Sequence, residues 1–369
     1  MKFTLESTTL LNILENMQGV VDKRNITPIL SNVRIHADNG TLVFNATNMD
    51  LDVVETLPAQ IETGGATTTN LTMLLETAKR LPKNVNVNFT LEGEKLNLQS
   101  GKFKGSFACL PVEDFPTVNS DEFPSSFKIN KDDLKHLLDK TKFAVSLDET
   151  RYYLNGIYFH TLTKDKKKIL KAVATDGHRL AAVEVPCDNA INIDEGIIIP
   201  KKAVDELSKI IDKSTDTEVT IESSATKVCF KFNNLVLTSK LISGNFPNYN
   251  KVIPNNDKII TVNKKLFIDA VNLVSTCSDD KLKAIKLDIN DKQIRITANR
   301  ETALGEDVID IEEAIEPVTA CFNAKYISDI CQLITTDKVV IQLASDSKPA
   351  LIKKHGEDDE IFVVMPMRL

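Results

Sequence analysis

Apolar and polar positions along the chain alternate with two periods, and the order in which those periods follow one another recurs three times. Over residues 130–142 the apolar Leu134, Leu137, Leu138 and Thr141 fall at i, i+3, i+4 and i+7. Lys131, Lys135, Asp139 and Lys142 lie off that stripe, which predicts an amphipathic helix. Asn130 stands where an N-cap belongs, as do Asn263, Asn70 and Asn323 before three other helical patterns. Residues 85–91, 219–221 and 235–241 alternate apolar with polar, as strands of a sheet with one buried face do.

The recurrence is long-range. LVFNATNMDLDVVE at 42–55, LKAVATDGHRLAAV at 170–183 and IRITANRETALGED at 294–307 each read as a strand closing on an Ala-centred polar turn. Their anchors Ala46, Ala174 and Ala298 stand 128 and 124 residues apart, close to a third of the 369-residue chain. A period that long is a domain rather than a solenoid unit. Each copy opens with a strand and helix, from residues 2, 127 and 260, and has a second helix near 70, 200 and 323. The expected order is β-α-β-β-α-β-β. The fold class is α+β: three tandem similar domains at 1–122, 126–246 and 247–369, each with two helices backed by antiparallel sheets.

Composition narrows the class. With 42% hydrophobic and 26% charged residues the chain reads as an ordinary globular one. No apolar run reaches the ~18 residues of a membrane span, and the first residues alternate rather than form a signal core, so a cytoplasmic protein without membrane contact is expected. Six cysteines without CxxC spacing fit buried thiols. Five scattered histidines without HxH or HxxxH give no metal centre, and no cofactor is expected. GxGxxG, GxxxxGK[ST] and GxSxG are all absent.

The densest polar cluster is Thr175-Asp176-Gly177-His178-Arg179. One reading makes Asp176 and His178 the acid and base of a hydrolase; the other makes Asp176-Gly177 a tight turn. The turn is favoured, since the other copies carry Asn48-Met49 and Asn299-Arg300 there and catalysis would have to reside in one copy of three.

Four strings, RYYLNGI at 151–157, ATDGHRLA at 174–181, SKLISGNFPNY at 239–249 and VMPMRL at 364–369, resemble the beta subunit of bacterial DNA polymerase III, the replicative sliding clamp. The likeness spans the chain in order. It implies a non-catalytic processivity factor: a head-to-tail ring homodimer on double-stranded DNA. Its partners would be the polymerase III catalytic subunit, a 3'-5' exonuclease, other proteins carrying a clamp-binding motif, and a separate ATP-dependent clamp loader.

The resemblance also distributes roles. A heterologous ring requires complementary ends. Lys102, Lys104 and Phe107 of the first domain are expected to meet Leu273, Val274, Glu301, Glu306 and Asp307 of the third. The net charge of −7 suits a ring that encircles DNA without gripping it, provided its lumen is basic. Lumen candidates are Lys79, Arg80, Lys201 and Lys202, with Lys135, Lys140, Lys209, Lys264, Lys265 and Lys325 on equivalent helices. Arg24, Tyr152 and Tyr153 match DNA-contacting positions, whereas Asp148 and Thr72 depart from the polar and basic residues of relatives. A partner-peptide groove is implied at Leu154, Thr175, Gly177, His178, Arg179, Leu180, Pro247, Val252, Tyr326, Val363, Met365, Pro366 and Met367, whose Met and Leu side chains make a deformable apolar pocket.

Overall fold

The computed structural model describes residues 1–21, 26–116, 123–187, 193 and 195–367. Among them are six α-helices: α1 (Ser7–Met17), α2 (Leu71–Ala78), α3 (Lys131–Thr141), α4 (Lys201–Lys213), α5 (Lys264–Ser275) and α6 (Ala324–Leu333). The asparagine caps form as expected. Oδ1 of Asn70, Asn263 and Asn323 accepts from Met73 N, Leu266 N and Tyr326 N, and Asn130 Oδ1 accepts from Asp132 N.

The repeating unit is shorter than the hydrophobic pattern implies. A strand, a helix and three strands occur twice in each of the first two thirds of the chain, starting at Lys2–Glu6, Gly65–Asn70, Ser125–Asn130 and Ile197–Pro200. In the final third the long strand Ala303–Asn323 closes one such unit and opens the next. The expected β-α-β-β-α-β-β order therefore omits strands. Those before the second helices escape detection because GATTTN buries Thr67, Thr68 and Thr69 rather than apolar residues, and IIIP is four residues long.

First helices dock on the connection after second helices in the same way each time. Ser7 N, Lys131 N and Lys264 N donate to the carbonyls of Val85, Thr217 and Asp337, all at 2.9 Å. Their side chains reach back as well: Ser7 Oγ to Pro82 O (2.7 Å), Lys131 Nζ to Ser214 O (2.8 Å) and Lys264 Nζ to Ile334 O (2.7 Å). These bonds satisfy carbonyls beyond the helix ends.

Contacts divide the described chain into two compact units. One comprises Met1–Lys135 with Lys202–Leu241, the other His136–Lys201 with Ile242–Leu369. The cause is strand pairing across the repeats. In the first unit thirteen strands form one sheet, in which Leu235–Lys240 pairs antiparallel with Leu51–Pro58, Leu235 opposite Glu55. In the second, an eight-stranded sheet pairs Arg179–Pro186 with Glu360–Val364, Val183 opposite Glu360, beside a separate two-stranded ribbon of Ala284–Arg300 and Ala303–Asn323.

The two joints share one register. Thr56 N donates to Asn234 O as Glu184 N donates to Asp359 O, and Lys240 N donates to Asp50 O as Met365 N donates to His178 O. Besides the outer edges of the end strands of the two sheets, the two edges that correspond to the joined ones lack such a partner among the described residues. Residues 303–310 pair with Ala284–Arg300 alone, and residues 103–108 pair with Lys95–Ser100 alone. No helix among the described residues is long and apolar enough to cross a membrane.

Candidate functional site

The joint between Arg179–Pro186 and Glu360–Val364 carries an apolar groove. Its cavity of about 170 Å3 is lined by Leu154, Thr175, Gly177, Arg179, Leu180, Pro247, Asn248, Tyr249, Val252, Val363 and Met365. Nine of these were expected from sequence. The floor is made by Val173, Leu180, Ala182, Tyr249 and Val363, packed against Tyr158, Phe246, Ile253 and Ile361. Pro247, Val252 and Met365 stay exposed at the mouth.

The walls are held by hydrogen bonds. Asp176 Oδ1 accepts from His178 N and Arg179 N, each at 2.9 Å, and Thr175 Oγ1 donates to Arg179 O at 2.7 Å while accepting from Gly177 N. The cluster is thus a turn, with Gly177 at φ +89° and the Asp176 carboxylate occupied by it. Arg179 is a fixed wall rather than a free rim group. It donates from Nε to Asp176 (3.2 Å), from Nη1 to Asp329 (2.9 Å) and from Nη2 to Phe143 O (2.8 Å). Its guanidinium lies 4.5 Å from the Tyr326 ring centroid and 4.9 Å from that of Phe143.

Tyr326 therefore supports the groove through Arg179 instead of lining it. His178 is exposed beside the mouth. Met365 N donates to His178 O (2.8 Å) and Met367 N to Cys321 O (2.7 Å), so the segment through Pro366 is anchored by its backbone while its side chains remain half-exposed or exposed.

Tyr249 was missed by the sequence reading although SGNFPNY contains it. It is buried, its hydroxyl 2.9 Å from His160 Nε2, and burial pushes its pKa up to about 12. A tyrosine two residues past a proline carries no periodic signal by which a floor position is recognised.

The other joint shows how specific the groove is. Its equivalent positions are Thr47, Met49, Asp50, Leu51, Asp52, Thr238 and Lys240, and the space there is about 10 Å3. Where one joint has His178 and Met365, the other has an Asp50–Lys240 ion pair at 2.9 Å. Shared backbone geometry gives two joints; side chains open one of them.

The remaining expected residues are distributed as follows. Tyr152 is 54% exposed and meets Tyr153 edge-on, ring centroids 5.8 Å apart. Asp148 caps the turn that presents them, accepting from Thr150 N and Oγ1 and from Arg151 Nε, which holds its carboxyl at about 2. Lys79 and Arg80 follow α2 rather than lying on it, and both are paired with Glu76. Lys201 and Lys202 are half-buried at the start of α4. Arg24 lies outside the described residues.

Lys140 is not a surface lysine: its side chain is 8% exposed and paired with Glu360. Lys264 is engaged with Ile334 O. Lys102, Lys104, Glu301 and Glu306 are exposed, as is Leu273, whereas Val274 and Phe107 are 2% and 7% exposed and turn into their own cores. The exposed large apolar residues on the strands Phe103–Leu110 and Ala303–Asn323 are instead Phe103, at 46%, Leu110, at 38%, Leu304, at 72%, and Val308, at 40%.

Residues 1–119, 128–248 and 250–368 match the N-terminal, central and C-terminal domains of the DNA polymerase III beta subunit. The beta sliding clamps of Caulobacter vibrioides and Escherichia coli K12 are 37% and 30% identical to this chain, with full coverage of both chains in each case. Among solved structures, a sliding clamp of Bartonella birtlesii bound to griselimycin superposes with a TM-score of 0.97 at 38% identity, and the beta subunit of Pseudomonas aeruginosa with 0.93 at 30%, each over the whole of both chains. The chain belongs to the bacterial DNA polymerase III beta subunits, the beta sliding clamps, which are non-catalytic processivity factors of DNA replication.

Proposed function

We propose that two copies of this chain close head to tail into a ring around duplex DNA, and that the groove beside Met365 tethers replication proteins to it through linear peptides. The observation that carries the ring is the pair of unpaired strand edges at residues 303–310 and 103–108. Exposed edges call for a partner strand, and a heterologous pairing that closes needs two complementary ends.

The internal joints supply the register. Leu241 N donates to Thr226 O as Cys109 N donates to Glu94 O, which makes Phe103 the counterpart of Leu235 and Glu360. With the shared register, Glu306 of one copy falls opposite Lys104 of the other, and Ala303 opposite Phe107. Leu273, the tenth residue of α5, takes the place that Lys140 holds in α3 and faces Phe103. Opposite charges flank an apolar centre, as in a stable interface.

The ring acts by topology. A tethered polymerase re-engages its template faster than it diffuses away, so a modest peptide affinity suffices. The deformable lining accommodates peptides from several partners, the polymerase III catalytic subunit and an exonuclease among them. Lys79, Arg80, Lys201 and Lys202, with Arg24, Tyr152 and Tyr153, serve as weak DNA contacts compatible with sliding. The sequence carries no phosphate-binding loop, so ring opening falls to a separate ATP-dependent loader.

The test is solution mass together with retention on nicked circular against linearised DNA after loading. A dimer that stays on circles and runs off linear ends is expected. A monomer, or equal loss from both DNAs, overturns the ring.

A further inference from the structure

The same place in the two joints holds a buried carboxylate, supplied from opposite strands. Glu55 stands opposite Leu235, and Glu360 opposite Val183, at one register position. Glu55 is 6% exposed and Glu360 is 1% exposed. Their surroundings differ in one respect that matters chemically.

Around Glu360 the protein supplies its own cations. Lys140, the tenth residue of α3, donates its ammonium to Glu360 Oε2 at 3.1 Å and to the carbonyl of Leu333, the tenth residue of α6. His136 Nε2 lies 3.3 Å from Oε1 and Lys354 Nζ 3.8 Å.

Around Glu55 the tenth residue of the helix, in α1, is Asn16. Glu55 accepts two neutral amide bonds, from Asn16 Nδ2 and Asn234 Nδ2, both at 3.1 Å. Asn16 Oδ1 is buried and makes no hydrogen bond among the described residues. Beside Asn16 and Glu55 lies a cavity of about 570 Å3, lined also by Ile210, the counterpart of Leu333. Lys213 reaches the cavity but is bound to Glu15 at 2.9 Å, and Asp216, held by Asn233, adds a further negative charge. Burial pushes the Glu55 carboxyl up against the lowering pull of Asn16, Asn234 and Lys213, as it does for a carboxylate without a seated cation.

We propose that this cavity binds an alkylammonium group, which donates to Glu55 and to Asn16 Oδ1 as Lys140 donates in the other joint. The ligand is either a free aliphatic diamine or the lysine side chain of a partner, and the apolar Ile210 and Phe232 meet its methylenes. Charge-assisted bonds at a buried carboxylate account for recognition of the head.

The test titrates the full-length protein at pH 7.5 and moderate salt with 1,4-diaminobutane, 1,4-butanediol, or an acetylated, amidated Gly-Lys-Gly tripeptide, following melting temperature and binding heat. A saturable diamine or lysyl signal, absent with the diol, is expected. Glu55→Gln should weaken it about tenfold or more, the loss of one charged hydrogen-bond partner. Asn16→Lys should abolish it by filling the site internally. A stronger response to the diamine marks a free polyamine as the source, and a stronger response to the tripeptide marks a protein side chain. No signal, or an equal signal in both variants from charge attraction to an acidic protein, overturns the proposal.

Discussion

Lys140 and Glu360 form a buried ion pair, Nζ to Oε2 at 3.1 Å with side chains 8% and 1% exposed, that ties α3 to the last described strand of the sheet. A lysine read from sequence as a surface cation is thus part of the joint. Removing Lys140 leaves Glu360 buried with His136 and Lys354 beside it, so the loss should approach but not exceed the roughly 3–5 kcal/mol of a broken buried pair. Lys140→Met should lower stability by that order in urea unfolding. The double variant Lys140→Met, Glu360→Leu should recover most of it, since two apolar groups of similar volume avoid desolvation.

Asp52 gives a pH signature. Burial raises its carboxyl from 3.8 to about 6, against hydrogen bonds from Asn45 and Thr47 and the charge of Lys227. Between the unfolded value and 6 the native state keeps a proton that the unfolded chain has lost, so stability falls as pH rises through this window. At pH 7.5 the ionised group costs about 3 kcal/mol. The stability of Asp52→Asn minus wild type should grow from near zero at pH 4 to a plateau above pH 6, measured by urea midpoints. A flat difference would remove Asp52 as the cause.

Three-fold repetition was legible because it is written in apolar spacing and in the Ala46, Ala174 and Ala298 turns. The six-fold unit was not, since the strand Gly65–Asn70 buries threonines. Nine residues that the family resemblance named line one cavity, but Tyr249 lies on a short 3-10 turn without periodicity. The Lys140 and Val274 errors share a cause. Sequence places a residue on a helix, whereas which helical face is covered depends on strands distant in the chain, such as Glu360–Val364.

Groove variants should separate binding from folding. Met365 is exposed at the mouth, so Met365→Ala should leave the melting temperature within a degree or so and weaken a linear clamp-binding peptide about tenfold by fluorescence anisotropy. Gly177→Ala should weaken the peptide and also lower the melting temperature, because φ is +89° and the new Cβ would stand 2.7 Å from Arg151 Nη1. The left-handed backbone alone costs about 1–2 kcal/mol. Equal melting temperatures for the two variants would contradict the strained turn.

The ring interface is tested by exchange of charge. Glu306 and Lys104 are exposed and opposite in the register carried over from the internal joints. Glu306→Lys juxtaposes like charges and should raise the dimer dissociation constant about tenfold at low salt in analytical ultracentrifugation, with less effect at high salt. Lys104→Glu alone should do the same. The double reversal should restore association to within a few-fold of wild type and, with it, retention on circular DNA. Arg295 already binds Glu306 at 3.0 Å within one copy, so part of the loss will come from this intramolecular pair. Only the restoration by Lys104→Glu reports the contact between copies. Additive damage in the double variant would displace the register by at least one residue.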